Sequence, residues 1–394
     1  MSSRGEEAVN PYALLNVDEA RRRIDSLRIN LPLDTETIFT SLAVGRILAE
    51  DVESPADTPK EPLAAMDGYA VRSSDTRAGA KLRLKTRGPL HPGDAVPVDT
   101  GDPLPPGADA VVRREAARAE DGFTYVSAPV SKWENVFLPG EFVAKGYRLG
   151  SRGDVITPYT AALMLQAGIR RVSVYRIKSV VMPVGSELAH PESLVNGGRI
   201  DYIGPMVEGL LRGWSEARLL PPVSDSREEL EEAVNRALDM ADILVTVGGS
   251  SVGRRDSLKA VIAGIGRLVV PGFGASVVKR GGLAVVREKL VAMLPGGCVS
   301  AAVSLHETLF RALKAVTGKP LLRSLTIPLA EDLRLERRMP SAVLFRMVDG
   351  GVEPLEWGVA LCRELAKADA YAILQPGVYG KGSLVNAIML KKPA

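Results

Sequence analysis

Ser226 to Gly253 reads SREELEEAVNRALDMADILVTVGGSSVG and contains a complete passage from helix to strand. Ser226 followed three residues later by Glu229 is the reciprocal capping pattern that opens a helix. Leu230, Ala233, Val234, Ala237, Leu238 and Ala241 then recur at intervals of three and four, so they trace one stripe of that helix. The period breaks at Ile243-Leu-Val-Thr-Val247, an apolar run closed by Gly248 and Gly249. A strand with almost no polar alternation is one buried on both faces, as in a parallel sheet sandwiched between helices.

The same texture extends in both directions. Lys178 to Val184 reads as a strand ending at Gly185, and Gly204 to Trp214 carries Val207, Leu210, Leu211 and Trp214 at helical spacing. Strands are predicted near Arg267 to Val270, Leu283 to Arg287 and Val291 to Leu294, followed by a helix from Val299 to about Val316. Upstream, Asn16 and Glu19 form a second capping pair, and a short helix is predicted over Ser41 to Leu48. Between Pro55 and about Glu141 the chain becomes rich in Pro and Gly with short alternating runs, the mark of a turn-dense β-domain. That β-domain is inserted before a helical stretch at Tyr159 to Gly168. Beyond Gly318-Lys-Pro320, Leu325 to Leu329, Ala342 to Val348 and Tyr371 to Gln375 read as strands of a small terminal β-domain, with a short helix at Leu361 to Lys367. The fold class expected is therefore multidomain α/β plus β.

A chain of 394 residues exceeds what one core organises. Lys and Arg number 50 against 47 Asp and Glu, a net charge of +3, which argues against a general nucleic-acid surface. No apolar run approaches the length of a membrane span, and the amino end carries no apolar segment behind its charges, so neither a membrane partner nor secretion is expected. The two cysteines, Cys298 and Cys362, lie far apart and suggest neither a metal-ligand pair nor a disulfide framework, which fits a cytoplasmic protein. Three histidines, His91, His190 and His306, leave little material for zinc chemistry or a histidine-based triad.

In an open α/β sheet, ligands bind outside the carboxyl ends of the strands. Four loops hold that position: Gly185-Ser-Glu187, Gly248-Gly-Ser-Ser-Val-Gly253, Pro271-Gly-Phe-Gly274 and Leu294-Pro-Gly-Gly297. In the second, glycines let amide N–H groups converge with the hydroxyls of Ser250 and Ser251, a setting for a phosphate or other oxyanion. The turn Pro295-Gly296-Gly297 leads into a helix whose first amides, with Ser300, offer a second anion site. Two such sites in one crevice point to a phosphorylated small molecule, with Arg254, Arg255, Lys259, Lys279 and Arg280 nearby to neutralise it. The alternative is that these glycines serve only the sterics of the strand ends. Neither loop is a Walker A or Gly-x-Gly-x-x-Gly fingerprint. Separately, three prolines, Pro55, Pro59 and Pro62, stiffen the approach to Ala64-Ala-Met-Asp-Gly-Tyr-Ala-Val-Arg72 and so deliver Asp67 to a fixed place, suited to a divalent cation. The competing role for Asp67 is closure of a local turn.

Taken together, Pro62 to Arg72, Thr100-Gly-Asp-Pro-Leu-Pro-Pro-Gly-Ala-Asp-Ala-Val-Val112, Gly248 to Gly253, Asp256 and Leu294 to Ala301 resemble the molybdopterin molybdenumtransferase family, which includes MoeA and the carboxyl-terminal domain of gephyrin. The resemblance covers nearly the whole chain. It implies a discontinuous linker and dimerisation domain (10–54 and 143–174), a β-rich lid domain (55–142), an α/β molybdopterin-binding domain like the molybdopterin adenylyltransferases (175–318) and a C-terminal β-domain (319–394). It further implies a homodimer with a composite active site, in which the lid of one subunit meets the α/β domain of the other. A molybdopterin adenylyltransferase is an implied partner. The activity implied is insertion of molybdate, or tungstate, into adenylylated molybdopterin with Mg²⁺ and release of AMP. On that basis Asp67, Glu187 and Asp256 are the catalytic and metal-ligating candidates. Thr100, Gly248, Gly249, Ser250, Ser251, Gly253, Pro295, Gly296 and Ser300 are the substrate-binding ones.

Four positions depart from the family pattern. Thr-Gly-Asp-Glu-Leu is here Val184-Gly-Ser-Glu-Leu188, so an acid is Ser186; a Gly-Glu-Asp segment is Gly140-Glu-Phe142; Pro-Gly-Lys-Pro is Pro271-Gly-Phe-Gly274; and Leu-Pro-Gly-Asn-Pro is Leu294-Pro-Gly-Gly-Cys298. Losing two carboxylates weakens cation binding, and Phe273 in place of a lysine removes a positive charge from the expected oxyanion site. The departures leave open a catalytically weak or inactive paralogue that acts as a molybdopterin carrier, scaffold or regulator.

Overall fold

The structure is a computed structural model that describes residues 10–190, 192, 199–249 and 257–390. Its centre is a six-stranded sheet in the order Glu216–Leu219, Lys178–Val184, Ile243–Gly248, Lys289–Leu294, Gly282–Val286, Arg267–Val270. The first four strands are parallel, and the last two join by antiparallel hairpins. The sheet is therefore mixed where the sequence alone read as parallel. Two reversals restore the direction of Arg267–Val270, so its carboxyl end lies along the same edge as those of the parallel strands.

Six helices can be taken in chain order: α1 (Val17–Asp25), α2 (Pro158–Gln166), α3 (Ile203–Arg212), α4 (Arg227–Met240), α5 (Ser257–Ile265) and α6 (Cys298–Leu305). Alternate residues of the central strands face opposite cores, as expected of a sheet covered on both sides. Val181, Val245, Val247, Leu290, Ala292 and Leu294 pack with α1, α3 and α6, whereas Val180, Met182, Leu244, Val291 and Met293 pack with α4 and α5. The capping pairs form as the sequence predicts: Asn16 accepts from the Glu19 amide and Ser226 from the Glu229 amide.

Residues 34–39 pair antiparallel with 171–176, and their neighbours Ala43, Leu48, Val52, Leu149, Ile156 and Met164 form a separate core. The helix predicted for Ser41 to Leu48 is not there. Thr40–Leu42 makes one tight 3₁₀ turn, and then Ile47 and Leu48 bridge to Val155 and Val174 as extended chain. Gly45, at φ +88 with a carbonyl 2.3 Å from where a Cβ would sit, breaks the helical run.

A second six-stranded sheet, in the order Ala110–Arg113, Gly68–Val71, Asp94–Val98, Ala80–Leu84, Phe123–Val126, Ala117–Glu120, forms the inserted β-rich body. The carboxyl-terminal body is a five-stranded antiparallel sheet that includes Ser341–Val348 and Ala370–Leu374. The helix predicted from Val299 to Val316 is interrupted. After α6, residues His306–Phe310 adopt a π turn, and Lys314–Thr317 is a further short helix. The π turn carries Glu307, fully buried, which accepts two hydrogen bonds from the Arg21 guanidinium at 2.8 and 2.9 Å and one from the Tyr371 hydroxyl at 2.9 Å. These bonds join α1, the α/β body and the terminal sheet. The cysteine reading is corrected as well: Cys298 and Cys362 form a disulfide, with Cα atoms 5.8 Å apart. Their 64-residue separation hides the pairing, because only the packing of the terminal body against α6 brings them together. Among the described residues, no helix is long and apolar enough to cross a membrane.

Candidate functional site

The carboxyl edge of the central sheet is where the predicted loops meet. Val184 pairs with Gly248 and Val247 with Leu294, so the ends of three neighbouring parallel strands deliver Gly185–Glu187, Gly248–Gly249 and Pro295–Gly297 side by side. Gly248 and Gly249 have φ of +89° and +63°. A Cβ at Gly248 would sit 2.5 Å from the Val184 carbonyl oxygen, and one at Gly249 2.8 Å from the Val184 side chain. Local sterics thus demand glycine at both positions, and both remain partly accessible at the end of the strand. A Cβ built on Gly296 would lie 3.9 Å from the Gly248 Cα, so the two glycine loops run close beside each other. Ser250, Ser251, Gly253 and Asp256, with Arg254 and Arg255, lie outside the described residues.

At the neighbouring strand end, Glu187 is exposed beside Ser186. Ser186 Oγ donates to Asp225 Oδ1 at 2.8 Å. Gly185 N–H donates to the Val223 carbonyl, which draws residues 223–225 alongside. Ser186, where the family motif has an acid, is therefore hydrogen-bonded to a carboxylate from another segment. The spacing between positions 186 and 225 carries no local signal; only the pairing of Val184 with Val223 brings them together.

Phe273 supplies no charge to this edge. It is fully buried in the core beneath the sheet, and its loop bridges to Leu15, so this side chain does not face the crevice. The ammonium group of Lys259, itself buried, donates to the Pro271 carbonyl at 2.6 Å and holds this loop from beneath. Lys279 is exposed and Arg280 half-buried.

At the start of α6, Cys298 and Ser300 are buried, and the amides of Val299 and Ser300 donate to the Val359 carbonyl at 3.2 and 3.4 Å. The predicted anion site at this helix end thus has a backbone oxygen of the chain itself against it.

In the inserted sheet the structure joins two residues that the sequence placed 33 positions apart. Asp67 Oδ1 accepts from both the amide and the hydroxyl of Thr100 at 2.8 Å. These two bonds, helped by the charge of Arg114, hold the exposed Asp67 carboxyl below its ordinary range. Gly68 follows because a Cβ there would lie 2.1 Å from the Val112 carbonyl oxygen, leaving no room for any other residue in this strand pair. The proline arm is braced as well as stiff: Thr58 exchanges backbone hydrogen bonds with Val143, and the Leu104 amide donates to the Pro62 carbonyl. Phe142 is exposed and stacks edge-on against Phe137, with ring centroids 4.8 Å apart. Among the described residues, no group of three or more His, Cys, Asp or Glu side chains stands close enough to form a metal centre.

Residues 15–168 match the family described as the MoeA N-terminal region (domain I and II), and residues 180–315 match the probable molybdopterin binding domain. A putative molybdopterin biosynthesis protein of Methanocaldococcus jannaschii is 32% identical over 367 residues, covering 89% of this chain and 90% of its own. The chain belongs to the MoeA family of molybdopterin molybdenumtransferases. The Haemophilus influenzae molybdopterin molybdenumtransferase is 32% identical across 75% of this chain and 76% of its own. The crystal structure of the molybdopterin biosynthesis MoeA protein from Pyrococcus horikoshii OT3 overlays with a TM-score of 0.75 at 25% identity, covering 96% of this chain and all of that one. The multidomain α/β plus β architecture is that of a MoeA-type protein, and family membership places the chain in molybdenum cofactor biosynthesis.

Proposed function

We propose that this MoeA-family protein inserts molybdate, or tungstate, into adenylylated molybdopterin and releases AMP. The observation that carries this reading is the close placement of the Gly248–Gly249 and Pro295–Gly297 turns at the ends of neighbouring parallel strands, with Glu187 on the adjacent strand end. Backbone amides in fixed turns stabilise an oxyanion without reorganising, which suits the phosphate of a leaving adenylate. Gly248 and Gly249 contribute the turn, Pro295 and Gly296 the facing wall, and Ser300 the hydroxyl at the helix start. Ser250, Ser251 and Gly253 extend the same loop.

Among the described residues, the carboxylates at this edge are Glu187 and Asp225 behind Ser186, oxygen donors that fit Mg²⁺. That ion takes one or two carboxylates and completes its shell with water and substrate phosphate. Glu187 and Asp225, with Asp67 and Asp256, are the side chains that would hold it. When bound, it supplies positive charge at the adenylate phosphate. Asp67, locked by Thr100 and kept ionised, is presented by the lid of a partner subunit in a homodimer with a composite site. An adenylyltransferase acting on molybdopterin must supply the substrate. Incubating the protein with adenylylated molybdopterin, molybdate and Mg²⁺ should release AMP stoichiometric with molybdenum incorporation. Release no faster than in the absence of protein, where another family member turns over, would refute this reading.

A second reading is a pterin-binding carrier or scaffold. It is favoured by the Val359 carbonyl against the amides of α6. Calorimetry separates the two, since a carrier binds molybdopterin adenylate tightly with little dependence on Mg²⁺ and releases no AMP.

A further inference from the structure

The turn that opens α6 is covered by the chain's own carboxyl-terminal body. Residues 358–362 run across it, with the Val359 carbonyl on the Val299 and Ser300 amides. A Cβ at Gly297 would stand 2.7 Å from that same oxygen, so the crossing requires glycine at position 297. The crossing segment ends at Cys362, which is bonded to Cys298, the first residue of α6. The two positions where this turn departs from the family motif, Gly297 and Cys298, are therefore the two that the crossing segment uses. One makes room for it and the other ties it down.

We propose that residues 358–362 are a redox-released strap: the Cys298–Cys362 disulfide holds them over the start of α6, and reduction frees this wall of the crevice for substrate. The proposal rests on the reading of that wall as part of the adenylate site. Cys362 is exposed while Cys298 is completely buried, so attack comes at Cys362. A thiolate of a dithiol reductant bonds to Cys362 Sγ, the Cys298–Cys362 bond breaks, and Cys298 leaves as a thiolate that takes up a proton. The second thiol of the reductant then displaces Cys362, which leaves as a thiol, and the reductant ends as its own disulfide. Two electrons pass from reductant to protein.

Release stays local because other contacts keep the terminal body in place. Tyr371 remains bonded to Glu307, and Ser276 Oγ to Ser341 Oγ at 2.6 Å. The strap's flanks are anchored within their own body by the Arg363–Glu356 ion pair and by Arg337 stacked over Trp357.

The test compares the full chain oxidised, reduced with dithiothreitol, and as Cys362→Ser, by hydrogen exchange and by AMP release. Reduction and Cys362→Ser should each speed exchange at the Val299 and Ser300 amides at least roughly tenfold while leaving the central strands protected. Both forms should also release AMP several-fold faster than the oxidised chain. Equal exchange in all three overturns the strap. Faster exchange with equal, measurable AMP release overturns its control of the site. If no form releases AMP, the transferase reading fails, and exchange alone then decides whether the strap opens.

Discussion

Gly248 and Phe273 show how differently two single residues in crevice loops can behave. Gly248 combines a left-handed backbone with a carbonyl 2.5 Å from its missing Cβ, so Gly248→Ala should cost about 1–3 kcal/mol in denaturant unfolding and should also lower AMP release. Phe273 stands where the family motif has a lysine, yet its side chain belongs to the core. Phe273→Lys should therefore destabilise the chain by several kcal/mol, on the order of burying an uncompensated charge, and should not raise molybdate-dependent turnover. A rise in turnover at unchanged stability would show that the loop turns this side chain outward. Asp67 is a third case. Asn at this position retains an oxygen to accept from Thr100 and loses only the charge, so Asp67→Asn should fold normally while AMP release falls at least about tenfold. Full activity in that variant would remove Asp67 from the chemistry.

At the scale of elements, caps and stripes were readable because their determinants lie within four residues of one another. Asn16 is one such determinant. Asn16→Ala removes the acceptor for the Glu19 amide and should cost about 1 kcal/mol, measured as a shift in the unfolding midpoint. Elements whose form depends on distant partners depart from their local pattern. Residues 41–48 have a helical pattern, but Gly45 turns the chain against Gly213 and Ile47 and Leu48 are drawn into extended bridges with Val155 and Val174, while the long terminal helix is broken by the π turn at His306–Phe310. In the sheet, Asp225 reaches Ser186 only through the pairing of Val184 with Val223, so its carboxylate was invisible to motif reading.

Across the whole molecule, the Glu307 cluster ties three bodies together through one carboxylate. Burial pushes its carboxyl up, but the Arg21 hydrogen bonds and charge, with Arg311 and Tyr371, outweigh this and hold it below the ordinary range. A carboxyl lowered on folding adds stability that is complete above the unfolded value, about 4.3, and is lost as pH falls through the lower folded value. Glu307→Ala leaves Arg21 and Tyr371 facing a void and should cost about 3–5 kcal/mol near neutrality. The gap between wild type and variant should narrow in acid below about pH 4. A gap independent of pH would mean that packing, and not charge, carries the effect.

The α/β core, the capped helices, the inserted β-rich body, the family and the loops at the strand ends are legible in the amino-acid sequence. The family follows from the likeness of whole motifs to those of known proteins, and the rest from periodicity and turn chemistry acting over a few residues. Tertiary structure alone decided that Cys298 meets Cys362, that Phe273 faces inward, that Asp225 stands behind Ser186 and that Asp67 is locked by Thr100. Each of these depends on how segments dozens of residues apart are packed or paired, and a local pattern carries no information about which distant backbone will lie beside it.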